Sequence, residues 1–224
     1  SSGLRRNIAQ CLDDFGIPLY LEHTIVEIKG KERVEGVVIA QVDKAKKPVA
    51  GTEREIACDT VLFSVGLIPE NELTKRAGLS LDPRTKGCVV DGNRETDISG
   101  IFACGNVLHV HDLVDFVSEE AEVAGRAAAE YLIRGEGERA YLPTVAGENV
   151  TYVLPQRAER GKDVKLYFRV RSAFRGAMIR VETGSAVKTY KRIAVAPGEM
   201  ENVTVKAADL ADAHDIKISV VREA

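Results

Sequence analysis

One stretch near the middle of the chain, residues 94–107, constrains the fold more than any other; it reads Arg-Glu-Thr-Asp-Ile-Ser-Gly-Ile-Phe-Ala-Cys-Gly-Asn-Val. A polar turn at residues 96–100 leads into a short strand-forming segment, residues 101–104, and then to Gly105 and Asn106. A long alanine-rich helical pattern follows a few residues later. A strand, a glycine, a polar residue and a helix start, in this order, allow a polar cofactor to approach backbone that no side chain shields. The stretch therefore predicts a cofactor-binding turn.

The same stretch resembles the second FAD-binding motif of the flavoproteins with two dinucleotide-binding domains, the pyridine nucleotide-disulfide oxidoreductase superfamily. That motif has a threonine, a short spacer, a small-residue strand and then Gly-Asp, whereas this chain has Asn106 in place of the acid. The resemblance implies FAD as cofactor, NAD(P)H as co-substrate, and cofactor contacts by Gly105, Asn106 and Val107. It also implies that the first turn of the following helix, near Val117 and Ser118, faces the pyrimidine edge of the flavin.

A second resemblance lies upstream, at residues 59–71. An acidic residue, an apolar strand at residues 60–65, Gly66 and a Pro-Glu-Asn turn follow one another. In the superfamily such a segment marks the return from the nicotinamide domain to the FAD domain, and Gly66 would let the backbone pass close to a bound cofactor. A strand end with a Gly-Pro turn is a common alternative, so the segment gains its weight from preceding the 94–107 motif in the expected order.

Element spacing predicts an α/β part followed by an all-β part. Residues 1–66 resemble the second half of an NAD(P)-binding domain, with a helix, a strand and a β-meander. Residues 67–140 resemble the C-terminal segment of a Rossmann-like, three-layer FAD-binding domain, and residues 141–224 predict a small β-sandwich. Because a G-x-G-x-x-G turn in strand-to-helix context is absent from the sequence, we expect a C-terminal piece of a longer flavoprotein that alone binds neither dinucleotide tightly.

Hydrophobic periodicity and turn residues predict the individual elements. Asp112 or Asp115 is expected to cap the longest helix at its start, and Gly135 to close it. Predicted helices cover residues 4–15, 70–77 and 114–134; predicted strands cover residues 19–21, 24–28, 34–42, 53–58 and 60–65, a segment within residues 79–90, and residues 101–104, 149–153, 164–170, 177–181, 187–193, 203–207 and 216–221.

Composition narrows the classes of function. With 31 basic and 34 acidic residues the net charge is −3, so the chain has no excess of positive charge that would attract nucleic acid or an anionic membrane. The apolar runs are too short to span a bilayer and no leader pattern opens the chain, so a cytoplasmic protein is expected. The four cysteines form no C-x-x-C pair and are expected to be reduced and structural.

Neither a metal site nor a catalytic residue is predicted. His109 and His111 are two residues apart and converge only on a strand or a special loop, and no further ligand lies at a recognisable spacing. We therefore expect this loop to shape the rim of the flavin pocket. Glu119 and Glu120 are adjacent on a helix and do not share a face, which makes them a poor acid/base pair.

Two functions remain open. The first is an FAD-dependent, NAD(P)-linked oxidoreductase that passes electrons through the flavin, with the isolated chain inactive. The second is a non-catalytic docking or scaffold subunit of a dehydrogenase complex, whose β-domain grips a partner subunit; either is compatible with an oligomer. The predicted β-strands carry outward lysines and arginines. We interpret them as a solvent-exposed polar face; the less favoured interpretation is a surface for an acidic partner.

Overall fold

The computed structural model describes residues 5–64, 66–135 and 137–223. Two units are formed, Ser1–Gly66 and Leu67–Ala224, and each is described by itself. The start of the first predicted helix, at Leu4, lies outside the described residues. The additional boundary expected between residues 140 and 141 stays a prediction.

The first unit begins with helix α1, Arg5–Cys11, and a short 3-10 turn, Asp13–Phe15. Gly16 ends the turn with a φ of 65°, a left-handed conformation that glycine adopts without a steric cost. Three antiparallel strands follow in the order β1 (His23–Lys29), β2 (Gly36–Gln41) and β3 (Arg54–Ala57). The central strand β2 is the most buried of the three, and the predicted meander is confirmed.

Two predicted strands of this unit are wrong within the described residues. Residues 19–21 form no strand, and residues 60–64 form none either; residue 65 is not described. Leu62 is 90% exposed, although its segment was expected to be buried on both faces. A parallel strand of that kind needs hydrogen-bonded neighbours and covering layers, and no other described segment of this unit pairs with residues 60–64.

In the second unit the main helical elements are α2 (Glu72–Arg76), a 3-10 turn (Gly105–Val107) and α3 (Val114–Arg134). The bounds of the predicted long helix are confirmed, as is its end at Gly135. Its expected cap is wrong: the residue before α3 is Leu113, which makes no side-chain cap. The Asp112 carboxylate instead accepts hydrogen bonds from Arg169 and from the backbone N–H of Met200.

The predicted strands within residues 79–90 and at residues 101–104 reduce to isolated bridges. Leu81 pairs with Cys88, and Glu95 pairs with Phe102. A regular ladder needs several consecutive paired residues, and the described neighbours of these segments supply only one each. Extended sequence patterns here therefore give a loop-rich segment rather than a sheet.

Eight strands complete the second unit and form two sheets: β4 (Tyr141–Ala146), β5 (Val150–Leu154), β6 (Arg157–Glu159), β7 (Val164–Val170), β8 (Phe174–Thr183), β9 (Ala186–Val195), β10 (Glu201–Val205) and β11 (Ile216–Arg222). One sheet has the order β10-β7-β5, and the other has the order β6-β4-β11-β8-β9, in which β4 and β11 run parallel. Buried side chains from both sheets, among them Phe168 and Ile179, form one apolar cluster.

Strands β4 and β6 were not predicted from the sequence. β4 contains Pro143, which a pattern-based reading takes as a strand breaker, and β6 has only three residues, too few for a periodic signal. The other six predicted strands of this region are confirmed, with shifts of a few residues at their ends.

A second apolar cluster links the loop-rich segment to the β-strands. Leu79, Cys88, Val90 and Leu108 pack with two residues of β5, Tyr152 and Leu154. Leu108 directly follows the 3-10 turn, so this cluster fixes the turn against the sheet. All four cysteines are free. Among the described helices, none has the length and apolar character needed to cross a bilayer.

Candidate functional site

The predicted cofactor turn is the 3-10 turn Gly105–Val107. Gly105 has a φ of 76°, and a Cβ at this position would lie 3.4 Å from Cγ1 of Val117 on α3. Asn106 is exposed, and its Oδ1 accepts a hydrogen bond from the backbone N–H of His111 at 3.0 Å. The turn therefore packs its glycine against α3 and presents the asparagine to solvent.

A fully buried carboxylate anchors this turn to α3. Glu120 is 0% exposed, and its Oε2 accepts hydrogen bonds from the Gly105 N–H at 2.7 Å and from His111 Nε2 at 3.1 Å. Its Oε1 accepts a hydrogen bond from Arg94 Nε at 2.9 Å. His109 Nε2 lies 3.6 Å from the same oxygen, beyond hydrogen-bond distance. We call these five residues the Glu120 cluster.

Arg94 reaches Glu120 because a tight turn holds the preceding loop. Asp91 Oδ1 accepts hydrogen bonds from the backbone N–H groups of Asn93 and Glu95, both at 2.9 Å. Arg94 has a φ of 67°, which a non-glycine residue rarely adopts. Such a conformation persists only where the surroundings over-determine it, and the ion pair with Glu120 is one of the contacts that do so.

Burial and charge set the protonation states of the cluster. Burial alone would raise the pKa of Glu120, but contacts with His109 and His111 and the charge of Arg94 outweigh it and hold this pKa well below the usual value. Burial lowers the pKa of His109, although the Glu120 carboxylate acts in the opposite direction. Tyr152, whose hydroxyl lies 3.2 Å from His109 Nδ1, has its pKa raised to about 12, chiefly by burial. At neutral pH the cluster thus holds an ionised carboxylate, a guanidinium and a neutral His109.

The geometry also brings together a set of groups that could ligate a metal. One ligand atom from each of His109, His111 and Glu120 lies within 4.8 Å of the others, a two-histidine, one-carboxylate combination known from zinc sites. However, both carboxylate oxygens already accept hydrogen bonds, and Arg94 supplies the compensating charge at contact distance. A divalent cation would be repelled by that guanidinium, so the contacts favour an ion-paired anchor, and the absence of a metal site stays a prediction.

The structure brings most of the predicted cofactor contacts into one place. The turn Gly105–Val107 contains three of them, Val117 packs on its glycine, and Ser118 is the next, exposed residue of α3. Gly66 belongs to the first unit, where it is exposed with a φ of 90°. The cofactor role of all six residues stays a prediction.

Sequence reasoning missed the Glu120 cluster. Its signal lies in the helical periodicity: Glu120 falls three residues after Val117 and four before Ala124, and is therefore on the apolar stripe of α3 rather than on its polar face. A glutamate in such a stripe needs a buried partner. Glu119, one position earlier, points elsewhere and accepts hydrogen bonds from Lys165 and Tyr167.

We expect the second unit to lose stability as the solution becomes acidic. The pKa of His109 is lowered in the folded state, so the unfolded chain binds more protons once the pH falls below about 6.5, the ordinary histidine value. The pKa of Glu120 is also lowered, so its contribution is present above the ordinary glutamate value and is lost as the pH falls further. Urea unfolding followed between about pH 7.5 and pH 4 measures the effect.

Two variants isolate the contribution of His109 to this pH dependence. His109→Gln should flatten the dependence that begins below about pH 6.5, whereas His214→Gln, at an exposed histidine, should leave it unchanged. Equal slopes in the wild type and in His109→Gln would contradict the assignment of a neutral buried His109.

Comparison with known proteins gives two findings. A family model described as pyridine nucleotide-disulphide oxidoreductase matches residues 1–130. The chain is also similar to the nitric oxide reductase FlRd-NAD(+) reductases of Escherichia coli O127:H6 (strain E2348/69 / EPEC) and Shigella flexneri, each 26% identical over 144 residues, covering 64% of this chain and 34% of the relative. The chain spans about a third of the length of these curated relatives. The family match ends before strand β4 begins at Tyr141, so the two sheets of the second unit lie outside it.

Proposed function

Since the chain belongs to the pyridine nucleotide-disulphide oxidoreductase family, we propose that the complete protein is an FAD-dependent, NAD(P)-linked oxidoreductase that passes electrons through a flavin. The observation that carries this proposal is the 3-10 turn at Gly105–Val107, which presents Asn106 to solvent beside the start of α3. FAD, when bound, would supply the redox chemistry, with NAD(P)H as co-substrate.

The residues of the turn fit the polar chain of such a cofactor. Gly105 carries no side chain where its backbone bends, and its N–H donates to Glu120, which holds the turn in place while Asn106 stays exposed. Asn106 engages its oxygen with His111, but its side-chain NH₂ makes no hydrogen bond to another described residue and is available to a sugar oxygen. An aspartate in the same place would only accept, so this chain exchanges a charged acceptor for a neutral group that can donate.

Two further features support binding at this place. The first N–H groups of α3 have no side-chain cap, which leaves them and the positive end of the helix dipole free to face an electron-rich ring near Val117 and Ser118. Glu120 holds the turn and the helix in fixed relation through the Gly105 N–H. We assign these residues the roles of binding and orienting the flavin, and no described residue is assigned a direct role in hydride transfer.

Flavin retention tests the proposal. With the protein expressed from its complete coding sequence, we expect a yellow product whose absorption is bleached by NADH or NADPH. Asn106→Ala should then lower the ratio of flavin to protein after gel filtration, whereas Asn106→Asp, which restores the family's acid, should retain the flavin. A colourless complete protein, or an unchanged ratio in Asn106→Ala, would overturn the assignment.

A matched control distinguishes cofactor binding from a purely structural role. Asn93 is also a turn asparagine, but its side-chain NH₂ donates to Glu159 on β6. Asn93→Ala should therefore leave the flavin ratio unchanged at any comparable loss of stability. A similar loss of flavin in both variants would indicate that general destabilisation, rather than a lost cofactor contact, releases it.

We also make proposals about the domains of the protein and its location in the cell. We infer that residues 1–66 and 67–140 are Rossmann-like pieces of the nicotinamide and FAD domains of a longer protein, that residues 141–224 form a β-sandwich, and that the protein is cytoplasmic. The alternative, a docking subunit of a dehydrogenase complex, is favoured by Asn106 standing where the family has an acid. The colour of the complete protein separates the two functions.

A further inference from the structure

A basic groove lies in the second unit and is lined by none of the three residues of the cofactor turn. Two adjoining cavities of about 290 and 480 Å³ share three lining residues, Arg84, Tyr152 and Arg169. Lys86 lines the smaller cavity and Arg171 the larger. Among the described residues that line either cavity there is no aspartate or glutamate. The basic groove thus gathers four cationic side chains on a chain whose net charge is −3.

Three of these four cations make no ion pair with another described residue. Within the described part of the chain, the side chains of Arg84 and Lys86 make no ion pair, and both are exposed. Among the described residues, the side chain of Arg171 donates only to the carbonyl of Val150, at 3.1 Å. Arg169 donates to the Val110 carbonyl at 2.8 Å and lies 3.4 Å from the Asp112 carboxylate, with which it forms an ion pair.

Other basic residues of the β-strands differ in this respect. Lys188 pairs with Asp209, Lys191 with Glu223, and Arg192 with Glu201. Their charges are neutralised by acidic residues of the same chain, as expected for a solvated, ion-paired face. The basic groove is therefore a local excess of positive charge rather than part of a generally basic surface.

The walls between the cations are largely apolar. Leu67, Ile68 and Pro69 line the smaller cavity, and Tyr152 forms part of both. His109, which is 1% exposed, lines the smaller cavity too, and its Nε2 has no hydrogen-bond partner. A concave site of a few hundred Å³ with apolar walls and few convergent polar groups is the usual form of a small-molecule site.

We propose that the basic groove binds a small molecule that carries a pyrophosphate, or two phosphate groups, attached to an apolar moiety. Guanidinium groups match phosphate oxygens with paired donors, and the Lys86 ammonium adds a point charge. A singly charged carboxylate would leave most of the four cations without a counter-charge. The apolar moiety lies against Leu67, Ile68 and Tyr152.

This site is separate from the proposed flavin contacts. None of Gly66, Gly105, Asn106, Val107, Val117 and Ser118 lines either cavity. The inference therefore goes beyond the proposed function, and either can fail alone. Asn106→Ala should leave pyrophosphate binding unchanged, whatever it does to flavin.

Isothermal titration of the 224-residue chain with inorganic pyrophosphate, against sodium chloride at matched ionic strength, tests the proposal. We expect saturable binding at one site, with amide shift changes in ¹H–¹⁵N spectra confined to residues 84–86, 109–110 and 169–171. Arg84→Gln with Lys86→Gln should weaken binding at least about tenfold, the loss of two charge-assisted contacts. Because both side chains are exposed, this double variant should fold normally.

The chain offers a matched control in its first unit. Asp43 caps a turn whose Lys46 has a φ of 59°, just as Asp82 caps the turn whose Lys86 has a φ of 66°. Lys44→Gln with Lys46→Gln removes the same charge from an equivalent turn and should leave pyrophosphate affinity unchanged. Equal weakening in both double variants, no saturable binding, or binding of a polyglutamate peptide without binding of pyrophosphate would each overturn the proposal.

Discussion

Replacing Glu120 with alanine is expected to lower the free energy of unfolding of the Leu67–Ala224 unit by about 3–5 kcal/mol. The carboxylate is fully buried and is the ion-pair partner of Arg94, which is itself only 3% exposed. Its removal leaves a buried guanidinium without a counter-charge, and leaves the N–H of Gly105 and Nε2 of His111 without their acceptor. Each of these groups then carries its desolvation cost uncompensated.

Urea unfolding followed by tyrosine fluorescence measures this effect. The chain has no tryptophan, and five of its six tyrosines lie in residues 67–224, so the signal reports mainly on the relevant unit. Glu122→Ala is the matched control, because Glu122 lies on the same helix and forms an exposed pair with Arg126. We expect it to cost no more than about 0.5 kcal/mol.

A double variant tests the stated cause. If an unpaired buried charge dominates the loss, adding Arg94→Met to Glu120→Ala should recover part of the stability, since the apolar side chain needs no counter-charge. A loss below about 1 kcal/mol in Glu120→Ala, or a further loss in the double variant, would show that the ion pair does not anchor the turn.

The second large effect is expected from Gly87→Ala, which should destabilise the same unit by about 3 kcal/mol. A Cβ at position 87 would lie 2.0 Å from the carbonyl oxygen of Leu108 and 2.4 Å from its Cα. Both atoms belong to the backbone, so no side-chain rotation relieves the clash. Leu108 is itself fully buried in the cluster that fixes the cofactor turn to the sheet. The 82–87 turn and the Leu108 backbone must therefore separate.

The same substitution at Gly125 provides a control of opposite sign. Gly125 lies within α3, and an added Cβ would meet open space. Because alanine loses less backbone entropy than glycine in a helix, Gly125→Ala should stabilise the unit by about 0.5–1 kcal/mol. Thermal unfolding of the two variants in parallel measures both shifts. If the Gly87→Ala protein unfolded at the same temperature as the wild type, this would contradict the close approach of the Gly87 and Leu108 backbones.

Local patterns predicted those parts of the fold whose stability is local. The bounds of α3 follow from its apolar stripe and Gly135, and the meander of the first unit follows from its alternating residues and turns. The strand expected at residues 60–65 failed within its described part because burial on both faces depends on neighbours that a pattern cannot supply. β6 was not predicted because a strand of three residues is too short to show a periodic pattern.

The same distinction between local and long-range contacts applies to the candidate site. Gly105 and Asn106 were identifiable because the order of strand, glycine, polar residue and helix is written in consecutive residues. The contact of Arg94 with Glu120 joins residues 26 apart, and pairing of this kind is set by three-dimensional packing rather than by spacing. The misassigned cap at Asp112 has the same origin, since its carboxylate is taken by Arg169, 57 residues away.

The position of β11 in its sheet bears on how the protein is made in the cell. β11 lies between β4 and β8, yet it is the last described strand of the chain. On the ribosome, β4 and β8 leave the exit tunnel before β11, so until β11 is made β4 can pair only with β6, and β8 only with β9. Domains fold as units during synthesis, so the nascent chain exposes aggregation-prone strand edges until Ile216–Arg222 emerges, and chaperone protection matters most in that interval.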